Sequence, residues 1–182
     1  SNYTIKLDIP RGGVYISRAE IENEHIPEIV EFMKKTDGAV FVIPNHPLFY
    51  FLSGRENPSR FLFSNYVTTA VMETEQVDAL ERGRVPYVVF FAGSAPNDWG
   101  TGRTYFDLAD LRAYIYTHYV LVDYYTAPDA EGGAKLNIYL LSRMGAALGQ
   151  YKRVYLPTPG GWDPYLATEE VHARLAREGR LE

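Results

Sequence analysis

Two arginines and a histidine lie close together in the sequence, around a turn that could hold an anion. His46 follows Pro44 and Asn45, and Arg55 and Arg60 come soon after it. A guanidinium binds phosphate or carboxylate through paired hydrogen bonds, and the free N–H groups of a helix N-terminus bind the same anions. These residues predict a phosphate or carboxylate site. The alternative is structural, because the same side chains could serve as a helix cap, a turn and surface ion pairs.

A strand and a short helix are expected to position these side chains. Residues 39–43 are apolar and predict a strand, and Pro47 suits the first turn of a helix that ends at Gly54. Asn45 is a favourable N-cap, and Tyr50 can direct its hydroxyl toward the loop that follows the helix. In open α/β sheets, ligands bind at the carboxyl ends of the strands. The corner after this strand is therefore the predicted binding site.

A second candidate loop follows the apolar run at residues 85–92. It reads GSAPNDWGTGR over residues 93–103, and it matches neither a dinucleotide fingerprint nor a phosphate-binding P-loop. Asn and Asp side chains could hydrogen-bond sugar hydroxyls while Trp stacks on a pyranose face; the alternative is a surface loop with its Trp packed on the sheet. The candidate ligand-binding residues are Asn45, His46, Tyr50, Arg55, Arg60, Asn97, Asp98 and Trp99.

Catalytic chemistry has little support in the sequence. The four histidines are far apart and no HExxH motif is present, so we expect no metal site. Glu73 and Glu75, like Asp107 and Asp110, stand at predicted helix starts, where acidic residues are favoured by the helix dipole. No serine lies in a G-x-S-x-G motif. We therefore predict no catalytic residue and no cofactor.

Composition narrows the classes of function. The net charge of −5 and the lack of a Lys/Arg run argue against nucleic-acid binding. The absence of cysteine excludes thiol catalysis, disulfides and cysteine metal sites. No apolar run approaches the ~18 residues of a membrane span. The 15 tyrosines suit either a core with solvated edges or a surface that docks on a partner or membrane.

Hydrophobic periodicity predicts strands and helices in the order β-α-β-α-β-α-β-α-β-β. This order favours an α/β fold with a three-layer, Rossmann-like, mostly parallel sheet. Residues 119–125 and 134–141 are close enough in sequence for a C-terminal antiparallel hairpin. Pro and Gly interrupt the pattern later, so we expect an α/β domain over residues 3–143 and a C-terminal extension with a short helix over residues 144–182.

Two helix boundaries carry specific signals. Pro27 either kinks a helix that begins near Ser17 or marks the first turn of a separate helix. Thr74 is the predicted N-cap of a helix that runs to Arg82, with Gly83 as its end.

The run YFLSGRENPSRF, residues 50–61, resembles the soluble segment that follows the membrane helices in bacterial dolichyl-phosphate-mannose-protein mannosyltransferase-like glycosyltransferases. In that family the pattern is V-x-V-x-P-x-x-P-x-x-Y-F-L-x-G-R-x-x-P-x-R. The positions are filled here by Val40, Val42, Pro44, Pro47, Tyr50, Phe51, Leu52, Gly54, Arg55, Pro58 and Arg60. The order of the later elements is also similar, so the likeness spans residues 14–143, with the motif confined to residues 40–60.

The resemblance implies an integral-membrane enzyme that uses a lipid-phosphate-linked sugar donor on the extracytoplasmic face of the bacterial cell membrane. The catalytic carboxylate of the family lies in a loop among the membrane helices, so no residue here inherits that role. The chain is then expected to be a non-catalytic accessory domain. Its expected partners are the membrane portion of the same polypeptide and a lipid-phosphate sugar or acceptor.

Two alternatives stay open. One is a free-standing α/β module that binds a small phosphate or sugar ligand at Asn45, Arg55 and Arg60. The other is an independent hydrolase or transferase, which no catalytic constellation in the sequence supports.

Overall fold

The computed structural model describes residues 4–9, 12–44, 46–62, 67–92, 108–128, 133–145, 150–158 and 161–181. The strands in these ranges are β1 (Thr4–Ile9), β2 (Gly12–Ser17), β3 (Val40–Ile43), β4 (Tyr87–Phe91), β5 (Tyr119–Pro128), β6 (Ala134–Arg143), β7 (Lys152–Thr158) and β8 (Gly161–Ala167). The helices in these ranges are α1 (Arg18–Glu24), α2 (Ile26–Lys35), α3 (Pro47–Ser53), α4 (Ala70–Arg82), α5 (Ala109–His118) and α6 (Glu169–Arg177). No helix in the described part of the chain is long and apolar enough to cross a membrane.

Six of the strands form one mixed sheet in the order β3-β4-β6-β5-β8-β7. β3 and β4 pair in parallel, as do β5 and β8. The other three pairs in this sheet, β4 with β6, β5 with β6, and β7 with β8, are antiparallel. β1 and β2 form a separate antiparallel hairpin.

The predicted Rossmann-like, mostly parallel sheet is therefore wrong, because three of its five strand pairs are antiparallel. The expected hairpin of β5 and β6 is present, but β6 lies inside the sheet, between β4 and β5, and is antiparallel to both. A central strand buried on both faces is apolar throughout whether its neighbours run parallel or antiparallel to it, so composition did not reveal the direction. The segment after residue 143 also contributes β7 and β8 to this sheet.

Helices pack on both faces of the large sheet. α2 and α3 cover the face that carries Val40, Val42 and Val89, with Ile29 and Phe49 fully buried against it. The other face packs against Leu80 of α4, Leu111 and Ile115 of α5, and Val171 and Leu175 of α6. Alternate residues of β3 point to opposite faces, which is why a short apolar strand can serve two cores.

The predicted N-cap of α4 is wrong, and the structure decides between the two alternatives for Pro27. The N-cap of α4 is Thr69, whose hydroxyl accepts a hydrogen bond from the Met72 N–H at 3.2 Å. The predicted cap, Thr74, lies inside the helix, and its hydroxyl instead donates to the Ala70 carbonyl at 2.9 Å. His25 has φ 49 and separates α1 from α2, so Pro27 marks the first turn of a separate helix.

Candidate functional site

The predicted corner lies where β3 and β4 end side by side. These strands are parallel and pair as far as Ile43 with Phe90, so their carboxyl ends meet at one edge of the sheet. A cis peptide joins Ile43 to Pro44, and α3 begins at Pro47. Asn45 lies outside the described residues.

His46 is packed against aromatic rings at this corner. Its ring centroid lies 3.9 Å from that of Phe91 and 5.7 Å from that of Phe49. Burial lowers the pKa of His46 to about 4, because desolvation penalises the charged form. Its Nδ1 is 3.8 Å from Oε2 of Glu24, beyond hydrogen-bonding distance, and its Nε2 has no hydrogen-bond partner among the described residues. At neutral pH His46 is an uncharged side chain in an apolar contact.

The side chain of Tyr50 points into the protein, whereas we predicted that its hydroxyl would face the loop after α3. Its hydroxyl accepts a hydrogen bond from the Val42 N–H at 2.8 Å, and only 7% of the residue is exposed. The pKa of Tyr50 is raised by burial, partly offset by that hydrogen bond. This contact ties α3 to β3, which is an outer strand of the sheet in the described part of the chain. Tyr50 thus stabilises the corner.

Arg55 binds the C-terminal end of α2. Its Nε donates to the Met33 carbonyl at 2.8 Å, and its Nη2 donates to the carbonyls of Lys34, at 3.0 Å, and Thr36. The last carbonyls of a helix lack intrahelical partners and carry the negative end of the dipole, so a guanidinium is a favourable cap there. The donors recorded for Arg55 are committed to backbone.

Arg60 instead projects from the surface. Its Nε and Nη2 donate to Oε2 of Glu75 at 2.8 and 2.6 Å, and its guanidinium carbon lies 4.4 Å from the ring centroid of Phe61. Its side chain is 65% exposed. The base of Arg60 is held by a turn in which Asn57 Nδ2 donates to the Phe61 carbonyl at 2.9 Å, and Ser59 N–H donates to Asn57 Oδ1 at 3.0 Å.

A small cleft, which we call the Arg60 cleft, lies between this turn and α4. Its volume is about 230 Å³, and it is lined by Ser59, Arg60, Phe61, Glu75, Ala79 and Arg82. The three α4 residues are spaced by four and three positions, so they lie on one helix face. The lining residues include two arginines and one glutamate, so their formal charges sum to a net positive charge. It has the size and charge for a small anion such as phosphate.

The structure separates residues that the sequence grouped together. Arg55 contacts α2 on one side of the large sheet, whereas Arg60 contacts α4 on the other. Asn97, Asp98 and Trp99 lie outside the described residues, so their proposed sugar contacts stay predictions. No group of His, Asp and Glu residues in the described ranges could hold a metal ion.

Sequence reasoning missed Arg82 as a neighbour of Arg60. The signal was present in the spacing of Glu75, Ala79 and Arg82 on one helix face. What the sequence could not supply was the path of residues 57–61 across that face, which depends on long-range packing.

Searches with the chain find no match among protein-family models, curated proteins or solved structures.

Proposed function

We propose that this chain is a non-catalytic, extracytoplasmic accessory domain of a membrane glycosyltransferase that uses a lipid-phosphate-linked sugar donor. Within that role, the Arg60 cleft binds the phosphate group of the donor. Its partner is the membrane portion of the same parent polypeptide. The observation that carries this proposal is the exposed guanidinium of Arg60, which lies beside Arg82 at the end of the motif shared with that enzyme family.

The ion pair between Arg60 and Glu75 is exchangeable. Both side chains are well exposed, at 65% and 44%, and exposed pairs contribute only ~0–1 kcal/mol because water screens them. A phosphate offers several acceptor oxygens to the two guanidiniums and carries more charge than one carboxylate. A phosphate can therefore displace Glu75 at little cost.

Two further motif residues help to position the turn that carries Arg60. Gly54 has φ 73, a left-handed conformation that favours glycine, and it lets the chain leave α3 toward the turn that carries Arg60. Arg55, one residue later, fastens this exit to α2. Such a division of labour, with most of the motif structural and one cation exposed, is consistent with a domain that handles a ligand without transforming it.

Titration with inorganic phosphate and with mannose 1-phosphate tests the proposal. We expect saturable binding that Arg60→Ala weakens about tenfold, which corresponds to one charge-assisted hydrogen bond. Arg82→Ala should weaken it to a smaller extent. Glu75→Gln should tighten binding, because it removes the competing carboxylate. Calorimetry or NMR titration at fixed, low ionic strength measures all three.

Arg177→Ala is the matched control, since it removes one positive charge from an exposed position on α6, away from the cleft. It should leave phosphate binding nearly unchanged. If Arg60→Ala and Arg177→Ala weaken phosphate binding equally, the net charge of the protein determines the affinity. That result would contradict a specific site. A Glu75→Gln variant with unchanged or weaker binding would show that Arg60 only stabilises the turn.

The second candidate is a free-standing module that binds a small phosphate or sugar ligand. The same cationic cleft favours it, because phosphate binding does not require a membrane enzyme. The two candidates differ in the polypeptide that carries this chain: only the accessory domain requires membrane-spanning segments in the same reading frame.

A further inference from the structure

The hairpin of β7 and β8 has one buried face and one uncovered face at the edge of the large sheet. Val154 and Leu156 of β7, with Tyr165 and Ala167 of β8, are buried in the core that also contains residues of α5 and α6. Because side chains alternate along a strand, the residues between them point to the opposite face. The register places three cross-strand pairs there: Arg153 with Leu166, Tyr155 with Pro164, and Pro157 with Trp162. We call these six residues the β7–β8 face.

The β7–β8 face is open to solvent and largely apolar. Tyr155 is 48% exposed and Trp162 is 51% exposed. The core beneath α2 and α3, which covers this side of the sheet, takes its buried strand residues in the described ranges from β2, β3, β4 and β6, and none from β7 or β8. Single exposed apolar side chains are common, but two aromatic rings, two prolines and a leucine in adjacent positions form a patch of the kind that marks an interaction surface.

The charge on this surface is positive. Arg153 is the only charged residue of the β7–β8 face, and Lys152, next to it at the start of β7, is also exposed. Neither of these two side chains forms an ion pair with another residue in the part of the chain that the structure describes. Asp163 is 8% exposed and lies on the buried side of the hairpin, and Glu169 and Glu170 begin α6, on that same side. On a chain of net charge −5, this exposed cationic end is complementary to an anionic surface.

A phospholipid surface matches both properties of the face. Tyr and Trp are favoured at the boundary between water and lipid, because each ring is apolar and carries one polar group. Lys and Arg are attracted to anionic headgroups at the same depth. A second copy of the chain is less favourable, since two identical faces would bring cation against cation. Nucleic acid is less favourable too, because two cations neutralise too few phosphates.

We propose that the β7–β8 face docks on an anionic phospholipid surface. Tyr155 and Trp162 enter the headgroup layer, and Lys152 and Arg153 contact lipid phosphates. This surface goes beyond the proposed function, because it requires neither the Arg60 cleft nor a sugar donor and the two share no residue.

The test measures binding of the whole chain to vesicles that contain no sugar-linked lipid. The chain has two tryptophans, so Trp99→Phe leaves Trp162 as the only one. Its fluorescence should shift to the blue and rise to saturation with vesicles of equal parts phosphatidylglycerol and phosphatidylcholine, because the indole leaves water. Vesicles of phosphatidylcholine alone should bind at least about tenfold more weakly, since they lack net charge. Co-sedimentation with the same vesicles measures binding of the wild type and of variants without Trp162.

Two double variants separate the aromatic and cationic contributions. Tyr155→Ala/Trp162→Ala should lower the vesicle partition coefficient about tenfold, because the apolar contact is lost. Its control is Tyr15→Ala/Phe51→Ala, which removes two exposed aromatic rings elsewhere.

Lys152→Gln/Arg153→Gln should also lower the coefficient about tenfold and remove most of its dependence on salt. Its control is Lys34→Gln/Lys35→Gln, which makes the same change in net charge on α2. Both controls should bind vesicles nearly as the wild type does, and all four variants should keep the far-UV circular dichroism of the wild type.

Four results would overturn the lipid surface. They are no binding to either vesicle, equal binding to both vesicles, binding that survives both β7–β8 variants, or a dimer in sedimentation equilibrium that Tyr155→Ala/Trp162→Ala dissociates. The last result would assign the face to a second copy of the chain. Arg60→Ala keeps this proposal distinct from the phosphate cleft, because it should weaken phosphate binding and leave vesicle binding nearly unchanged.

Discussion

At the scale of single residues, the sequence motif contains two kinds of arginine. Arg55 donates to three backbone carbonyls, and Arg60 donates to one exposed carboxylate. Both have the residue type that phosphate sites use, so residue type alone could not separate them. The distinction comes from what lies opposite each guanidinium: the end of α2 for Arg55, and the Glu75 and Arg82 face of α4 for Arg60.

His46 makes the stability of the protein sensitive to acid. Burial lowers its pKa from 6.5 to about 4, so below pH 6.5 the unfolded chain binds a proton that the folded chain does not. Stability attributable to His46 therefore falls as pH drops from 6.5 to about 4, by up to about 3 kcal/mol. His46→Phe should remove it while keeping the ring contact with Phe91.

Urea denaturation of wild type and His46→Phe at pH 7 and at pH 4 measures this effect. Groups other than His46 titrate in both proteins, so the difference between their acid losses isolates the imidazole. His172→Phe, on α6, is the control and should retain the wild-type loss. Equal acid losses in wild type and His46→Phe would contradict a neutral, buried His46.

At the scale of elements, local chemistry fixed the helix ends better than it fixed the strand neighbours. Gly83 ends α4 as predicted, and Pro27 lies in the first turn of α2, because capping and proline geometry act over a few residues. Thr74 was a wrong cap because Thr69, five residues earlier, offers the same hydroxyl. A sequence with three threonines near one helix start, at positions 68, 69 and 74, leaves that choice to packing.

Arg55 should stabilise the protein through its hydrogen bonds to the C-terminal end of α2. Arg55→Ala should lower the free energy of unfolding by about 2 kcal/mol, because three carbonyls at the end of α2 lose a charged donor. Arg55→Lys should recover only part of the loss, since one ammonium cannot match the planar guanidinium. Arg60→Ala should cost less than about 1 kcal/mol, as its ion pair is exposed.

Chemical denaturation of the three variants measures their losses of stability. Phosphate titration of Arg55→Ala then tests whether Arg55 is a structural cap or a ligand-binding residue. A structural cap predicts lost stability with phosphate affinity unchanged at a temperature where the variant is folded. Unchanged stability with lost phosphate binding would instead place Arg55 in a ligand site.

At the scale of the whole molecule, the sheet order was the part that sequence could not provide. The hairpin of β5 and β6 was predictable from their separation along the chain, but insertion of β6 beside β4 is a contact between distant segments. β7 and β8 were not predicted, because the prolines in them were taken as breaks in regular structure. Pro157 is tolerated because β7 is the outer strand, and Pro164 because β5 pairs with β8 only at Leu166 and Ala167.

The candidate sites also differ in whether the sequence could predict them. Arg60 was identified from its type and its position in the motif, whereas a cleft lined by His25, Tyr125 and Arg174 was not identified at all. His25, Tyr125 and Arg174 are more than a hundred residues apart at the extremes, and only the fold brings them together. No spacing rule along one element could have grouped them.

The complete reading frame that encodes this chain tests the central claim most directly. An accessory domain of a membrane glycosyltransferase requires several apolar segments of at least ~18 residues before Tyr3, with a carboxylate-bearing loop among them. Sequencing of the full transcript should reveal them. A reading frame with no such segments would contradict the proposed role and leave the free-standing binding module in its place.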